Sequence, residues 1–213
     1  MAEINTADKT GHLLDYTLLE QLDHGLLVSR LASHLSSRLE CPEDFVQELA
    51  LAGILHDIGK IRLGRYVEEG AVMTVDEIKY VRMHSMFGSE ILRQKGFSNS
   101  IQEIVLYHHE NYDGSGYPRN LQGEAIPLGA RILRVCDVFA ALLSDRAYRK
   151  GFDQSTALSL MIEEIKNFDM RIFLAFQRMV HEEEIPPVVW LQAMSPEERQ
   201  KLLEELLFPV SEE

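Results

Sequence analysis

His56 and Asp57 are neighbours in the run His56-Asp57-Ile58-Gly59-Lys60, and further along His108 and His109 are neighbours in His108-His109-Glu110-Asn111-Tyr112-Asp113-Gly114-Ser115-Gly116-Tyr117-Pro118. Both pairs follow apolar stretches with helical spacing. Successive residues of a helix point about 100° apart, so an adjacent pair of ligands serves two ions better than it chelates one. The chemistry these runs could do is therefore that of a multinuclear metal site. Imidazole and carboxylate without Cys suit iron or manganese; zinc is compatible, and magnesium is less natural with this many imidazoles.

Other ligand-type side chains interrupt apolar stripes in the same way. Glu20 and His24 precede Leu27, Val28 and Leu31, and His56 follows Leu49, Ala52 and Gly53. His84 stands among Tyr80, Val81, Phe87 and Gly88; His108 continues Ile101, Ile104 and Val105; Asp137 lies between Leu133 and the pair Ala140, Ala141. A polar group on a buried stripe is costly unless it is satisfied inside the protein. Any one of these histidines could be an ordinary core imidazole bonded to a backbone carbonyl. Their convergence on one cation-holding centre explains all of them together. His12, His34 and His181 fall outside the pattern and are expected on the surface.

The elements that must position these groups read as helices throughout. Leu18–Leu39, Glu43–Asp57 closed by Gly59, Asp76–Gln94 with Thr74 as N-cap, Asn99–His109, Leu128–Ser144, Phe152–Ile165 and Arg171–His181 repeat apolar residues at helical spacing. No alternating strand pattern of useful length occurs, and the fold class is all-α. Ser195-Pro196 opens an amphipathic C-terminal helix to Leu207. The expected organisation is an N-terminal extension over 1–16, one globular domain over 17–182, and a linker with that docked helix over 183–213.

With 213 residues and 46% apolar content the chain can bury a real core. It contains neither a membrane-spanning apolar run nor a signal peptide, so a cytoplasmic protein without membrane association is expected. Cys41 and Cys136 are read as reduced structural thiols. A formal charge of -13 argues against a nucleic-acid surface. An anionic substrate would need local compensation, for which Arg131, Arg134, Arg146, Arg149 and Lys150 are candidates.

The HD pair, His84, the HHENYDGSGYP run and the stretch ARILRVCDVFAALLSDRAYRKG together resemble the HD-GYP family of the HD phosphohydrolases, over roughly Thr17 to Phe176. The resemblance implies an HD-type bundle of about five core helices plus C-terminal helices. It implies a phosphodiesterase that hydrolyses cyclic di-GMP to pGpG, to GMP, or to both. Carried over by position, the metal ligands are His24, His56, Asp57, His84, His108, His109 and Asp137, with Asp57 bridging two ions. Glu20 matches a glutamate that supports a third metal in a subset of the family, so two or three divalent ions, Fe or Mn, are expected. Lys60 would act with Asp57 in catalysis and, with Arg146 and Arg149, hold substrate phosphate.

Gly116-Tyr117-Pro118 is open to two readings. It is turn chemistry that suits a structural loop, and an exposed Tyr117 would suit contact with a diguanylate cyclase partner or the wall of the substrate pocket. The residues after Lys60 depart from the family, with Val67-Glu68-Glu69-Gly70-Ala71 where a Lys-Pro-Gly loop is common, which leaves room for another cyclic dinucleotide such as cyclic GMP-AMP. A signalling adaptor that binds a cyclase is the alternative outside enzymology. No sensory domain is recognised, so regulation is expected from a partner, from a homodimer or from a further segment.

Overall fold

The computed structural model describes residues 8–66, 74–145 and 150–182, with 8–20 and 64–66 described by their backbone alone. The chain divides into a unit of Met1–Asp23 with Pro186–Glu213 and a unit of His24–Ile185. In the first, the described backbone is the opening of helix α1, which runs Asp8–Arg38 and so begins before the expected Leu18. The helix expected from Ser195 lies outside the described residues.

Among the described residues all regular structure is helical, in keeping with the all-α expectation. After α1 come α2 (Glu43–Leu55), a 3-10 segment (Ile58–Tyr66), α3 (Val75–Val81), α4 (His84–Gln94), α5 (Asn99–Tyr107), α6 (Leu128–Leu143), α7 (Gln154–Glu163) and α8 (Met170–Glu182). The starts follow local chemistry. Thr74 and Glu77 form a reciprocal capping box on α3, the Ser98 hydroxyl accepts from the Ile101 amide on α5, and the Asp153 carboxylate accepts from the Thr156 amide on α7.

The core is organised around α6, whose Ala130, Ile132, Leu133, Val135, Cys136, Phe139 and Ala140 are all fully buried. A helix apolar on nearly every side has to be covered on every side, and α6 packs against α2, α5, α7 and α8. Phe139 meets Phe176 of α8 edge to face at 5.0 Å. In the second unit α1 adds Leu27, Val28, Leu31, Ala32 and Leu35 to this core. Cys41 and Cys136 are free thiols, as expected. No helix of the described residues is long and apolar enough to cross a membrane.

Two elements differ from the sequence reading in ways that matter for the centre. The single helix expected over Asp76–Gln94 is two, α3 and α4, because the Met83 amide turns back to the Tyr80 carbonyl at 3.0 Å and tightens the chain there. The break puts His84 at the start of α4. Likewise α2 ends at Leu55 rather than Asp57, and the chain continues as the 3-10 segment instead of stopping at Gly59.

Gly59 has a different task from closing a helix. A Cβ there would stand 1.9 Å from the His84 carbonyl oxygen and 2.5 Å from the Gly88 amide nitrogen. The missing side chain is what lets the backbone after Asp57 lie directly on the first turn of α4, bringing Asp57 to His84. Gly59→Ala forces backbone against backbone, and overpacking of this kind costs about 3 kcal/mol. The expected result in a thermal melt is a Tm lower by roughly 6 to 12 °C for a chain of this size; an unchanged Tm would contradict the close approach.

Candidate metal centre

Seven of the ligand-type residues singled out in the sequence, all but Glu20, come together in the unit His24–Ile185 from separate elements. His24 comes from α1, His56 and Asp57 from the end of α2, His84 from the start of α4, His108 and His109 from the end of α5, and Asp137 from the middle of α6. His56, His84 and His108 are almost completely buried, and Asp137 is buried beside them. Their donor atoms fall into two sets that share one residue: Asp57 with His84, His108 and His109, and Asp57 with His24 and His56, the atoms of each set within 4.8 Å of one another.

The two oxygens of Asp57 face opposite sets. Oδ1 is 3.3 Å from His84 Nε2, and Oδ2 is 3.4 Å from His56 Nε2. Asp137 Oδ1 joins the second set, 3.0 Å from His24 Nε2 and 3.7 Å from His56 Nε2. Within the first set, His84 Nε2 lies 3.4 Å from His108 Nε2 and 3.1 Å from His109 Nε2.

Hydrogen bonds at the far side of the rings decide what these short distances mean. His56, His84 and His108 each donate from Nδ1 to the carbonyl three residues earlier, Gly53 at 2.8 Å, Val81 at 2.7 Å and Val105 at 2.6 Å. The proton on Nδ1 leaves a lone pair on Nε2. Burial moves His84 and His108 below the ordinary imidazole range and His109 down to about 3, so these rings stay neutral. The lone pairs of His84 and His108 therefore point at each other, and that of His84 also points at an Asp57 carboxylate oxygen. Among the described residues His56 Nε2 is buried without a hydrogen-bond partner, as is His24 Nδ1. Acceptor facing acceptor in a buried space is repulsive unless a cation lies between. Donors about 2.1 Å from one ion at tetrahedral or octahedral angles stand roughly 3.0 to 3.4 Å apart, which is the spacing found. The residues fit divalent metal ions.

Burial would raise the carboxyls of Asp57 and Asp137, and both nevertheless lie well below the ordinary range. For Asp57 the ammonium of Lys60 is the foremost group opposing burial; for Asp137 it is the hydrogen bond with His24. Lys60 Nζ donates to Asp57 Oδ2 at 2.5 Å, with its side chain 36% exposed and so within reach of a molecule at the rim.

Several expectations change. Tyr117 is not an exposed aromatic: it is half-buried, its ring stacks on His109 with centroids 4.7 Å apart, and burial raises its phenol above the ordinary value. The reason is Gly116, where a Cβ would lie 2.2 Å from the Asn111 amide nitrogen and 2.5 Å from the His109 carbonyl oxygen, so the loop presses onto the chain behind the histidines. Pro118 is half-buried in the same loop. Arg131 does not offer its charge to a substrate, because it donates to Asp169 at 2.7 Å in a largely buried ion pair. Lys150 is exposed and paired with Asp145 at 3.0 Å. The side chain of Glu20 and all of Arg146 and Arg149 lie outside the described residues. Of the other histidines, His34 and His181 are exposed as expected, and the side chain of His12 is not among those described.

Sequence reasoning missed Arg82, which stands over the Tyr117 ring with its guanidinium 5.0 Å from the centroid; nothing in its spacing marked it. Arg134, one of the candidates from the basic stretch, donates to Asn111 Oδ1 at 3.0 Å beside the histidines.

Comparison with known proteins agrees with this geometry. The HD domain family matches residues 6–172. The chain belongs to the HD domain family. This HD domain chain is 38% identical over 159 residues to a cyclic di-GMP phosphodiesterase of Pseudomonas aeruginosa, covering 74% of itself and 38% of that protein. It is 32% identical over 153 residues to 3'3'-cGAMP-specific phosphodiesterase 1 of Vibrio cholerae, covering 70% of itself and 36% of that protein. An HDGYP protein from Bdellovibrio bacteriovorus has the same fold, with a TM-score of 0.62 at 20% identity over 74% of this chain and 51% of that one. The HD-GYP resemblance of the sequence is borne out, and the chain spans well under half the length of these two curated relatives.

If cations relieve the facing lone pairs, they bind the folded chain and not the unfolded one. At a free Mn2+ concentration a hundred times its dissociation constant, each site adds about 2.7 kcal/mol of stability. Thermal melts of the chelated protein with and without Mn2+ should therefore differ by several degrees, and His84→Ala should shrink that difference. An identical Tm in both conditions would count against the centre.

Proposed function

We propose that this chain is a metal-dependent phosphodiesterase of a cyclic dinucleotide, with cyclic di-GMP as the first candidate substrate and pGpG, GMP or both as products. The observation that carries the reading is the pair of donor sets sharing Asp57, with the ammonium of Lys60 at its edge. The name of the P. aeruginosa relative supports the substrate.

His24, His56, Asp57 and Asp137 would hold one ion, and Asp57, His84, His108 and His109 a second, with Fe or Mn the ions this donor set suits. Ions held there supply Lewis acidity and neutralise the charge on a phosphodiester. The protein's own share is orientation. The three Nδ1 hydrogen bonds keep imidazole lone pairs aimed inward, Asp57 keeps both oxygens ionised, and the neighbouring apolar helices exclude bulk water. Lys60 supplies a positive point charge that can pass from Asp57 to a substrate phosphate oxygen. Arg146 and Arg149, as substrate contacts, and a third ion at Glu20 rest on the sequence resemblance alone; a metal count on Glu20→Ala, lower by about one ion than wild type, would support the third ion.

A second substrate reading has its own support. The V. cholerae relative is named for 3'3'-cGAMP, and the segment after Lys60 departs from the common family pattern. Contact with a diguanylate cyclase through Gly116-Tyr117-Pro118 has less, since Tyr117 is turned onto His109. The adaptor reading must explain why so many donors converge, and a homodimer rests on no particular contact.

The deciding experiment is anaerobic purification followed by turnover and product analysis with cyclic di-GMP and 3'3'-cGAMP on one metal-counted sample. Hydrolysis of cyclic di-GMP is expected, with Asp57→Ala inactive and poor in metal. Lys60→Ala should keep its metal but lose a charge-assisted contact of roughly 1.5 to 3 kcal/mol, about ten- to a hundredfold in substrate affinity. Preference for 3'3'-cGAMP would move the assignment to the second substrate. A metal-loaded wild type that turns over neither would favour the adaptor.

A further inference from the structure

Among the histidines of the first donor set, His109 is held differently. His84 and His108, like His56, are fixed by a carbonyl three residues earlier. Among the described residues His109 has no backbone carbonyl partner; its ring lies against the neighbouring His108 at 4.0 Å and His84 at 4.9 Å, and the group stacked face to face on it is Tyr117, at 4.7 Å and 28°. With two of these neighbours themselves in the donor set, the aim of His109 Nε2 depends in part on where the loop after it puts Tyr117. That loop has few apolar anchors of its own, so its backbone groups must be tied down by something else.

Glu110 does this. The residue is only 2% exposed although it carries a carboxylate, and among the described residues its oxygens bond to none of the ligand side chains. Both of its oxygens accept backbone hydrogen bonds from the far side of the loop: Oε1 from the Arg119 amide at 2.6 Å and Oε2 from the Leu121 amide at 3.0 Å. The Tyr117 amide donates to the His109 carbonyl at 3.2 Å, and the Asn120 side-chain amide donates to the Gly116 carbonyl, closing the loop on itself. A buried carboxylate is costly unless donors meet it, and two charge-assisted bonds to backbone amides meet this one fully. The loop can therefore not swing away without leaving Glu110 buried and unpaired.

We infer that Glu110 is a positioning residue, which clamps residues 116–121 through the Arg119 and Leu121 amides so that the Tyr117 ring holds His109 in register for metal binding. The inference rests on the reading of His109 as a ligand. It gives the Gly-Tyr-Pro loop an inward task, supplying through an aromatic face the orientation that a carbonyl supplies to the other imidazoles. Partners that orient a metal-bound imidazole typically change metal affinity by about 10- to 100-fold when removed.

The test is Mn2+ titration of the full-length apoprotein by anaerobic calorimetry, with amide hydrogen exchange of 116–121 measured on the same samples. Wild type is expected to take up at least two ions. Glu110→Gln replaces one acceptor with an NH2 group, and should weaken one ion by about tenfold or more while sparing the other, with faster exchange at Arg119 and Leu121. Tyr117→Leu should weaken the same ion while those two amides stay protected, because the clamp is intact, and Tyr117→Phe should restore wild-type affinity. If Glu110→Gln fails to fold, the two tyrosine variants decide. Wild-type affinity in Tyr117→Leu, or loosened exchange in Glu110→Gln with both ions bound normally, would overturn the positioning role and leave the metal centre standing. A wild-type chain that takes up no Mn2+ would sink the metal reading itself, and this inference with it.

Discussion

Neutral imidazoles with their lone pairs turned toward one another and toward carboxylate oxygens form an arrangement no apolar core would keep. Each of the three hydrogen bonds from Nδ1 to a carbonyl is unremarkable alone. Together they fix which nitrogen is left bare, and the fold then places the bare nitrogens of His84 and His108 3.4 Å apart. The stability of the bundle has to absorb that repulsion or have it cancelled by cations. The other features of the centre follow from this constraint: a bridging carboxylate with one oxygen for each donor set, an ammonium at its edge, and close backbone contacts that leave the ligands little freedom.

Those contacts explain why so small a bundle can hold so many polar groups at its middle. Asp57 reaches His84 because Gly59 has no side chain to keep the 3-10 segment off α4. Asp137 reaches His24 and His56 because it sits mid-way along α6, the helix around which the core is packed. Apart from His24, midway along α1, the remaining ligands lie at helix ends, where side chains can point along the axis into the space between elements.

Much of this was legible in the sequence. The interruption of apolar stripes by His24, His56, His84, His108 and Asp137 marked buried polar positions, and the structure brings all of them together with Asp57 and His109. What periodicity could not convey was direction. A period-3.6 pattern runs unbroken through Arg82-Met83, where one tightened turn separates α3 from α4. Turn residues around Gly116 suggested an exposed loop, whereas the absence of a Cβ lets that loop lie flat on the chain and turns Tyr117 inward. Arg131 and Asp169 are thirty-eight positions apart, and Glu110 meets its two donors only after the loop has closed. Pairings of this kind are set by tertiary contact, not by local spacing.

The most direct measurement of the central claim is anomalous diffraction from anaerobic crystals soaked in Mn2+. The expected result is two peaks on opposite sides of Asp57, each about 2.0 to 2.3 Å from its nearest donors. One should lie among Asp57 Oδ1, His84, His108 and His109, and the other among Asp57 Oδ2, His24, His56 and Asp137. No peak within this cluster, or a single ion that leaves one of the two histidine sets facing bare lone pairs, would contradict it.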